Sequence, residues 1–333
     1  MKIFDRIRGL AATCIISLVI TPKYITKAFL RGKALSKDRN SDTLRAVNRV
    51  PHEWTEACER WGHHLCLRMI TRVEGVDVLT DLVRQGKSVI IMSNHPSMAE
   101  LHPWFAAITT ILKDYVLRVV VKKELGKTPI GWAAKMLDNA WWFIDREGGQ
   151  ESIAQITDHM LELAQSERQF AAIIYPDGTK PTPSKVSRGQ KFLHKKASSE
   201  DVTDRPAQYA AVLGYYNTTA VPRDGGLRAM ILAAKQAGID VELVFVAVRS
   251  PLHVARDGGF FRFCWSLVEQ SAAMIRQPQE MDIERLDFNM WSNWAENDPI
   301  KFRMSLLRLF ANTNKWIAER SNTVPLGKQI DSQ

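Results

Sequence analysis

Only four cysteines, Cys14, Cys58, Cys66 and Cys264, are scattered through the 333 residues, which argues against a disulfide framework and for the cytoplasm as the compartment. No zinc-finger spacing, RNA-recognition signature or long arginine run is present, and nucleic acid is not an expected partner. The G-x-S-x-G elbow of serine lipases is missing. So is H-E-x-x-H, because His52-Glu53-Trp54-Thr55-Glu56 ends in the wrong residue. Gly126-Lys127-Thr128 lacks the first glycine of a phosphate loop, Val121 standing in its place. Cys58, His63, His64 and Cys66 crowd one stretch that reads as a helix, but their spacing fits no standard zinc pattern and no metal is expected. Long hydrophobic runs are absent too. Leu10 to Ile20 is apolar yet falls well short of the roughly twenty residues a spanning helix needs.

What the chain does have is 45% hydrophobic residues and a net charge of +9. The first allows one large core, and the second favours an anionic partner. Around the short apolar run, Lys2, Arg6 and Arg8 precede and Lys23, Lys27, Arg31 and Lys33 follow, interleaved with Tyr24, Ile25, Phe29 and Leu30. That pattern suits a helix lying in the face of an anionic bilayer, so residues 1–37 are expected to form a membrane-associated segment on the cytoplasmic face. An ordinary core helix and an uncleaved signal-like segment are the other readings of the same residues.

From Asp42 to about Ile70 the pattern is helical, and from Val73 apolar runs alternate with amphipathic stretches. Strands are expected at Ser88–Ser93, Leu117–Val121, Trp141–Ile144, Phe170–Tyr175, Tyr209–Leu213 and Val241–Val248. Helices are expected at Ala99–Leu112, Ile130–Leu137, Ser152–Gln165, Gly226–Ala237 and Met304–Arg320. Such alternation predicts an α/β fold, a largely parallel sheet covered by helices. The expected division is 1–37, a main domain over 38–250 with its motif core at 73–248, and a C-terminal extension over 251–333 packing on the same domain.

Two polar turns stand at predicted strand ends, where α/β sheets keep their ligands. Asn94-His95-Pro96-Ser97-Met98-Ala99-Glu100 supplies an imidazole and a carboxylate. His95 is a candidate general base, and Glu100 is placed to fold back and fix its tautomer. Tyr175-Pro176-Asp177-Gly178-Thr179-Lys180 supplies an acid, a glycine, a hydroxyl and a cation, with Thr179 and Lys180 suited to a phosphate. A plain turn would also use Pro-Asp-Gly-Thr. Between them lie Lys122-Lys123-Glu124-Leu125-Gly126 and Phe143-Ile144-Asp145-Arg146.

Taken in order, with Gly131 and the later Ala220-Val221-Pro222-Arg223, these blocks resemble the glycerolipid acyltransferase family, which includes the lysophosphatidic acid acyltransferases. Pro222-Arg223 followed by Gly225-Gly226 is similar to the branch acting on lysocardiolipin. The resemblance implies a fatty acyl group moved from acyl-CoA or acyl carrier protein to the free hydroxyl of a lysophospholipid, lysophosphatidic acid giving phosphatidic acid being the leading case. It implies His95 and Glu100 as catalytic residues. Lys123, Arg146, Asp177, Gly178, Thr179, Lys180 and Pro222 would bind substrate. No cofactor is implied beyond the thioester co-substrate, and the partners are the membrane phospholipid surface, the acceptor and the donor. Glu100 stands where the family has aspartate, and Asp177 and Lys180 where it has glutamate and arginine. Those changes keep open a relative that binds or tethers lipid without turnover. Ser93 and Ser97 keep an acyl-enzyme route open.

Overall fold

A computed structural model describes residues 3–61, 71–95, 101–138, 140–145, 148–166, 168–178, 181–199, 206–216, 218–249, 265, 268–273, 275 and 279–320, with backbone only at 101–105 and 320. The fold is α/β, built on a mostly parallel seven-stranded sheet. In chain order the strands are β1 (Thr71–Glu74), β2 (Ser88–Ser93), β3 (Val116–Lys122), β4 (Trp141–Ile144), β5 (Phe170–Ile174), β6 (Val241–Arg249) and β7 (Gln279–Leu286). Their spatial order is β1-β7-β6-β2-β5-β3-β4. Strands β2 to β6 run parallel, and β7 pairs antiparallel with β6, so β7 and its parallel neighbour β1 point the other way.

Covering helices explain why the central strands read as unbroken apolar runs. Side chains alternate between the two faces with period two, so Ile90 and Met92 enter one core and Val89 and Ile91 the other. The first core is closed by α7 (Gln150–Ala164), α10 (Gly225–Gln236), α11 (Phe288–Asn297) and α12 (Pro299–Arg320). The second is closed by α4 (Val76–Arg84) and α5 (Leu101–Ile111). Truncating a fully buried strand residue such as Ile91 to alanine would cost about 2–5 kcal/mol, because neither face can collapse onto the hole.

Helices α1 (Ile3–Cys14) and α2 (Thr21–Lys37) are joined by a π-helical turn at Ile15–Ile20. The α2 residues Ala28 and Leu35 pack with Val47 and Val50 of α3 (Ser41–Ala57) and with Leu137 beyond α6 (Pro129–Met136). A Cβ at Gly32 would collide with the Met136 backbone, so glycine is what lets α2 and α6 approach. No described helix is long and apolar enough to cross a membrane.

Predicted strands at 88–93 and 141–144 are observed with those bounds, and three others shift by a residue or so. Tyr209–Leu213 is not a strand. It belongs to α9 (Pro206–Leu213), where Pro206 starts the helix and alanines favour it, since a short apolar run alone does not separate helix from buried strand. Five elements lay outside the predicted strands and helices: β1, α4, the basic α8 (Pro183–Ala197), α11 and β7. In β7, charged residues on the exposed positions interrupt the apolar pattern that marks the central strands. The Cys58–Cys66 stretch is described only to residue 61, and within it Cys58 is buried beside Ile16 and Ile20.

Candidate functional site

The carboxyl ends of β2 and β5 are neighbours in the sheet, Met92 lying level with Ile174. The two polar turns therefore leave the sheet side by side. On the other side of β2, Asn94 continues the strand pairing with its side chain. Its Nδ2 donates to the Val248 carbonyl at 2.8 Å and its Oδ1 accepts the Val248 amide at 2.7 Å. The amide thus reproduces a backbone bridge to β6 where β2's own backbone turns away. Ser93 is fully buried and donates its hydroxyl to the Asn94 carbonyl at 2.9 Å, which leaves it unsuited to act as a nucleophile.

His95 follows at once. Its backbone N–H donates to Asp177 Oδ2 at 2.7 Å, a charge-assisted bond that ties the first turn to the second. Its ring lies over Tyr175, centroids 4.8 Å apart and tilted by 40°. Asp177 is itself 5% exposed. Burial, and after it the nearby Asp177 charge, hold the phenols of Tyr175 and Tyr216 well above their ordinary range, so both remain protonated donors. Tyr216 donates to the Leu307 carbonyl at 2.6 Å, which carries the connection to α12.

The second turn closes with Gly178 at φ 71°, donating to the Tyr175 carbonyl at 2.8 Å. That left-handed position is one a side chain would strain. Buried Pro222 belongs to the Ala220-Val221-Pro222-Arg223 segment, whose last residue, Arg223, donates its N–H to the Pro176 carbonyl at 2.8 Å. Asn314 of α12 supports the same loop, its Oδ1 accepting the Thr218 and Thr219 amides at 2.9 Å each and the Thr218 hydroxyl at 2.8 Å. Sequence reasoning missed Asn314. A polar residue among the inward, apolar positions of an amphipathic helix was its only signal.

Lys123 stands at the end of β3 and pairs with Asp145 at the end of β4. Strand β3 is two strands from β2, about 10 Å at ordinary strand spacing, so Lys123 flanks the His95 turn without belonging to it. Gly131 lies in the first turn of α6 beside the Lys123 turn, and a Cβ there would overlap the Leu125 carbonyl oxygen. The structure thus brings together His95, Asp177, Gly178 and Pro222, and sets Lys123 to one side. Glu100, Arg146, Thr179 and Lys180 lie outside the described residues, as do Pro96 and Ser97. Among the described residues no group of His, Cys, Asp or Glu side chains could hold a metal ion. Comparison with protein-family models gives no match, and comparison with curated proteins gives none either.

Proposed function

We propose that the chain is a glycerolipid acyltransferase acting at a membrane surface, with His95 as general base and lysophosphatidic acid as the leading acceptor. The observation that carries this reading is the bond from the His95 N–H to Asp177, which joins the two turns at adjacent carboxyl ends of parallel strands. In the reaction His95 takes the proton of the acceptor hydroxyl as its oxygen attacks the thioester carbonyl. The tetrahedral oxyanion collapses by breaking the C–S bond, and the imidazolium returns the proton to the departing thiolate. Ester and free thiol result. Glu100 is the acid proposed to fix the imidazole, and Thr179, Lys180 and Arg146 are the groups proposed for the acceptor phosphate. Ser93, buried and engaged, does not offer an acyl-enzyme route, and direct attack is the proposed one.

The N-terminal helices supply the membrane side of the proposal. Ile3, Ile7 and Leu10 share one face of α1 and are exposed, as are Leu18 and Val19 of the π-helical turn and Phe29 and Leu30 of α2. Phe4 is 72% exposed and Leu18 72%. Large apolar side chains so exposed, interleaved with lysine and arginine in a chain of charge +9, fit burial in an anionic bilayer face.

The test is to offer isotope-labelled acyl-CoA with a panel of lysophospholipids to the purified full chain and identify products by mass spectrometry. Labelled phosphatidic acid is expected. Release of thiol without any acylated lipid, or no release at all, would contradict the proposal.

A further inference from the structure

The opposite, amino-terminal edge of the sheet carries a second concentration of charge that acyl transfer does not use. A cleft of about 360 Å³ opens there between the start of α3, the first residues of β3 and the end of α7. Arg39, Arg118 and Arg168 all line it, against a single inward carboxylate, Asp138. Arg118 lies at the start of β3 and its side chain is 9% exposed. Its Nη2 donates to Asp138 Oδ2 at 3.2 Å, while Arg39 Nη2 donates to Asp138 Oδ1 at 2.8 Å. One carboxylate thus serves two guanidinium groups, held in place by a non-glycine left-handed backbone at Asp138 (φ 55°). The third cation, Arg168, makes no ion pair among the described residues, and its charge opposes that of Arg118. The other acid of the cleft, Glu162, has a side chain 77% exposed and turns to His159 at 3.6 Å.

Burial pulls the Arg118 guanidinium below its ordinary range, and Asp138 only partly offsets this. A second anion entering the cleft would meet the positive charge of the three guanidinium groups that line it. Guanidinium forks match the oxygens of a phosphate. Walls formed by Leu44, Val116, Trp142 and Leu163 leave apolar surface for the alcohol part of an ester. We infer that this cleft is a binding site for a phosphate group, separate from the acyl-transfer site. From Arg118 to Lys122 is about 13 Å along the strand, and from Arg168 to Tyr175 roughly 23 Å, so neither arginine reaches the His95 turn.

The experiment is isothermal titration of the full chain with pyrophosphate, repeated with Arg168→Gln, Asp138→Asn and Lys180→Ala. Arg168→Gln removes a charge that supports no ion pair among the described residues, so the fold is expected to be retained, and affinity is expected to fall about tenfold. Asp138→Asn removes the competing carboxylate, tolerates the left-handed backbone and is expected to tighten binding. Lys180→Ala tests the other edge and is expected to leave the Arg168-dependent binding unchanged. Vesicles of phosphatidylcholine with and without phosphatidic acid form a second arm. Displacement of pyrophosphate only by vesicles containing phosphatidic acid assigns the phosphate to a lipid headgroup, and no displacement assigns it to a soluble ester. Absence of pyrophosphate binding by the wild type, or binding that Arg168→Gln leaves intact, would overturn the inference. Both outcomes are independent of whether acyl transfer occurs.

Discussion

The two edges of the sheet handle buried polarity in different ways. At the carboxyl edge several polar groups meet specific partners, Asn94 the Val248 backbone, Asp177 the His95 amide and Arg249 the Glu280 carboxylate at 2.8 Å. At the amino edge three arginines gather about one inward carboxylate. A matched arrangement fixes atoms in position, as a reaction centre needs, because each broken bond would leave a buried group unsatisfied. An arrangement with surplus charge stores attraction for something that arrives from solution. The difference separates a place built for geometry from a place built for binding.

Replacing His95 with alanine should produce the largest effect, a loss of about 10²–10⁴ in acyl-transfer rate with the fold retained, as a circular dichroism spectrum and a steady-state assay would check. Next, Asn94→Ala removes both bonds to Val248 and leaves two buried backbone groups without partners. It should lower stability by roughly 2–4 kcal/mol in urea unfolding. No comparable loss is expected for Arg168→Gln at the amino edge, and equal losses at the two positions would erase the contrast drawn here.

The N-terminal helices sharpen the contrast from outside the sheet. Deleting residues 1–37 would strip Ala28 and Leu35 from their packing with α3 and α6, so it would confound anchoring with folding. Phe4→Glu and Leu18→Glu change exposed positions only. Each should weaken sedimentation with anionic vesicles by about tenfold or more, since a buried large apolar side chain is worth about 1.5–3 kcal/mol. Vesicle binding unaffected by both together would place the membrane contact elsewhere.

The smallest effect concerns His52, which lies at neither edge. Its Nδ1 sits 2.9 Å from the Thr109 carbonyl, and burial lowers its pKa below the ordinary 6.5. The unfolded chain therefore takes up the proton first as pH falls. Stability is full above about pH 6.5 and declines as pH drops through the window between the unfolded and folded values. His52→Gln should flatten that decline below about pH 6.5 in thermal unfolding, while wild type and variant agree in slope above it.

Much of the sheet was legible because central strands must be apolar on both faces, and Val89-Ile90-Ile91-Met92 and Phe170 to Ile174 are. Strand β7 was not, since its exposed positions carry charge and its antiparallel pairing with β6 follows from no local pattern. At the site, His95 and Asp177 were legible as residues of two turns, but not the bond between them. That bond arises only because β2 and β5 are neighbours. The amino-edge cleft was illegible for a similar reason: Arg39, Arg118, Asp138 and Arg168 are far apart in the chain and are brought together by topology alone.

The central claim is that Asp177 serves the carboxyl edge by holding the His95 backbone, and the acyl-transfer rates of Asp177→Asn and Asp177→Ala, measured side by side, test it most directly. Asparagine keeps an oxygen that can accept the His95 amide, whereas alanine leaves that amide without its partner. The account predicts that Asp177→Asn keeps activity within about tenfold of wild type and that Asp177→Ala loses roughly a hundredfold, the cost of misplacing a catalytic group by about an ångström. An asparagine variant as inactive as the alanine variant would contradict it, because the negative charge itself, and not the tether, would then be what the reaction requires.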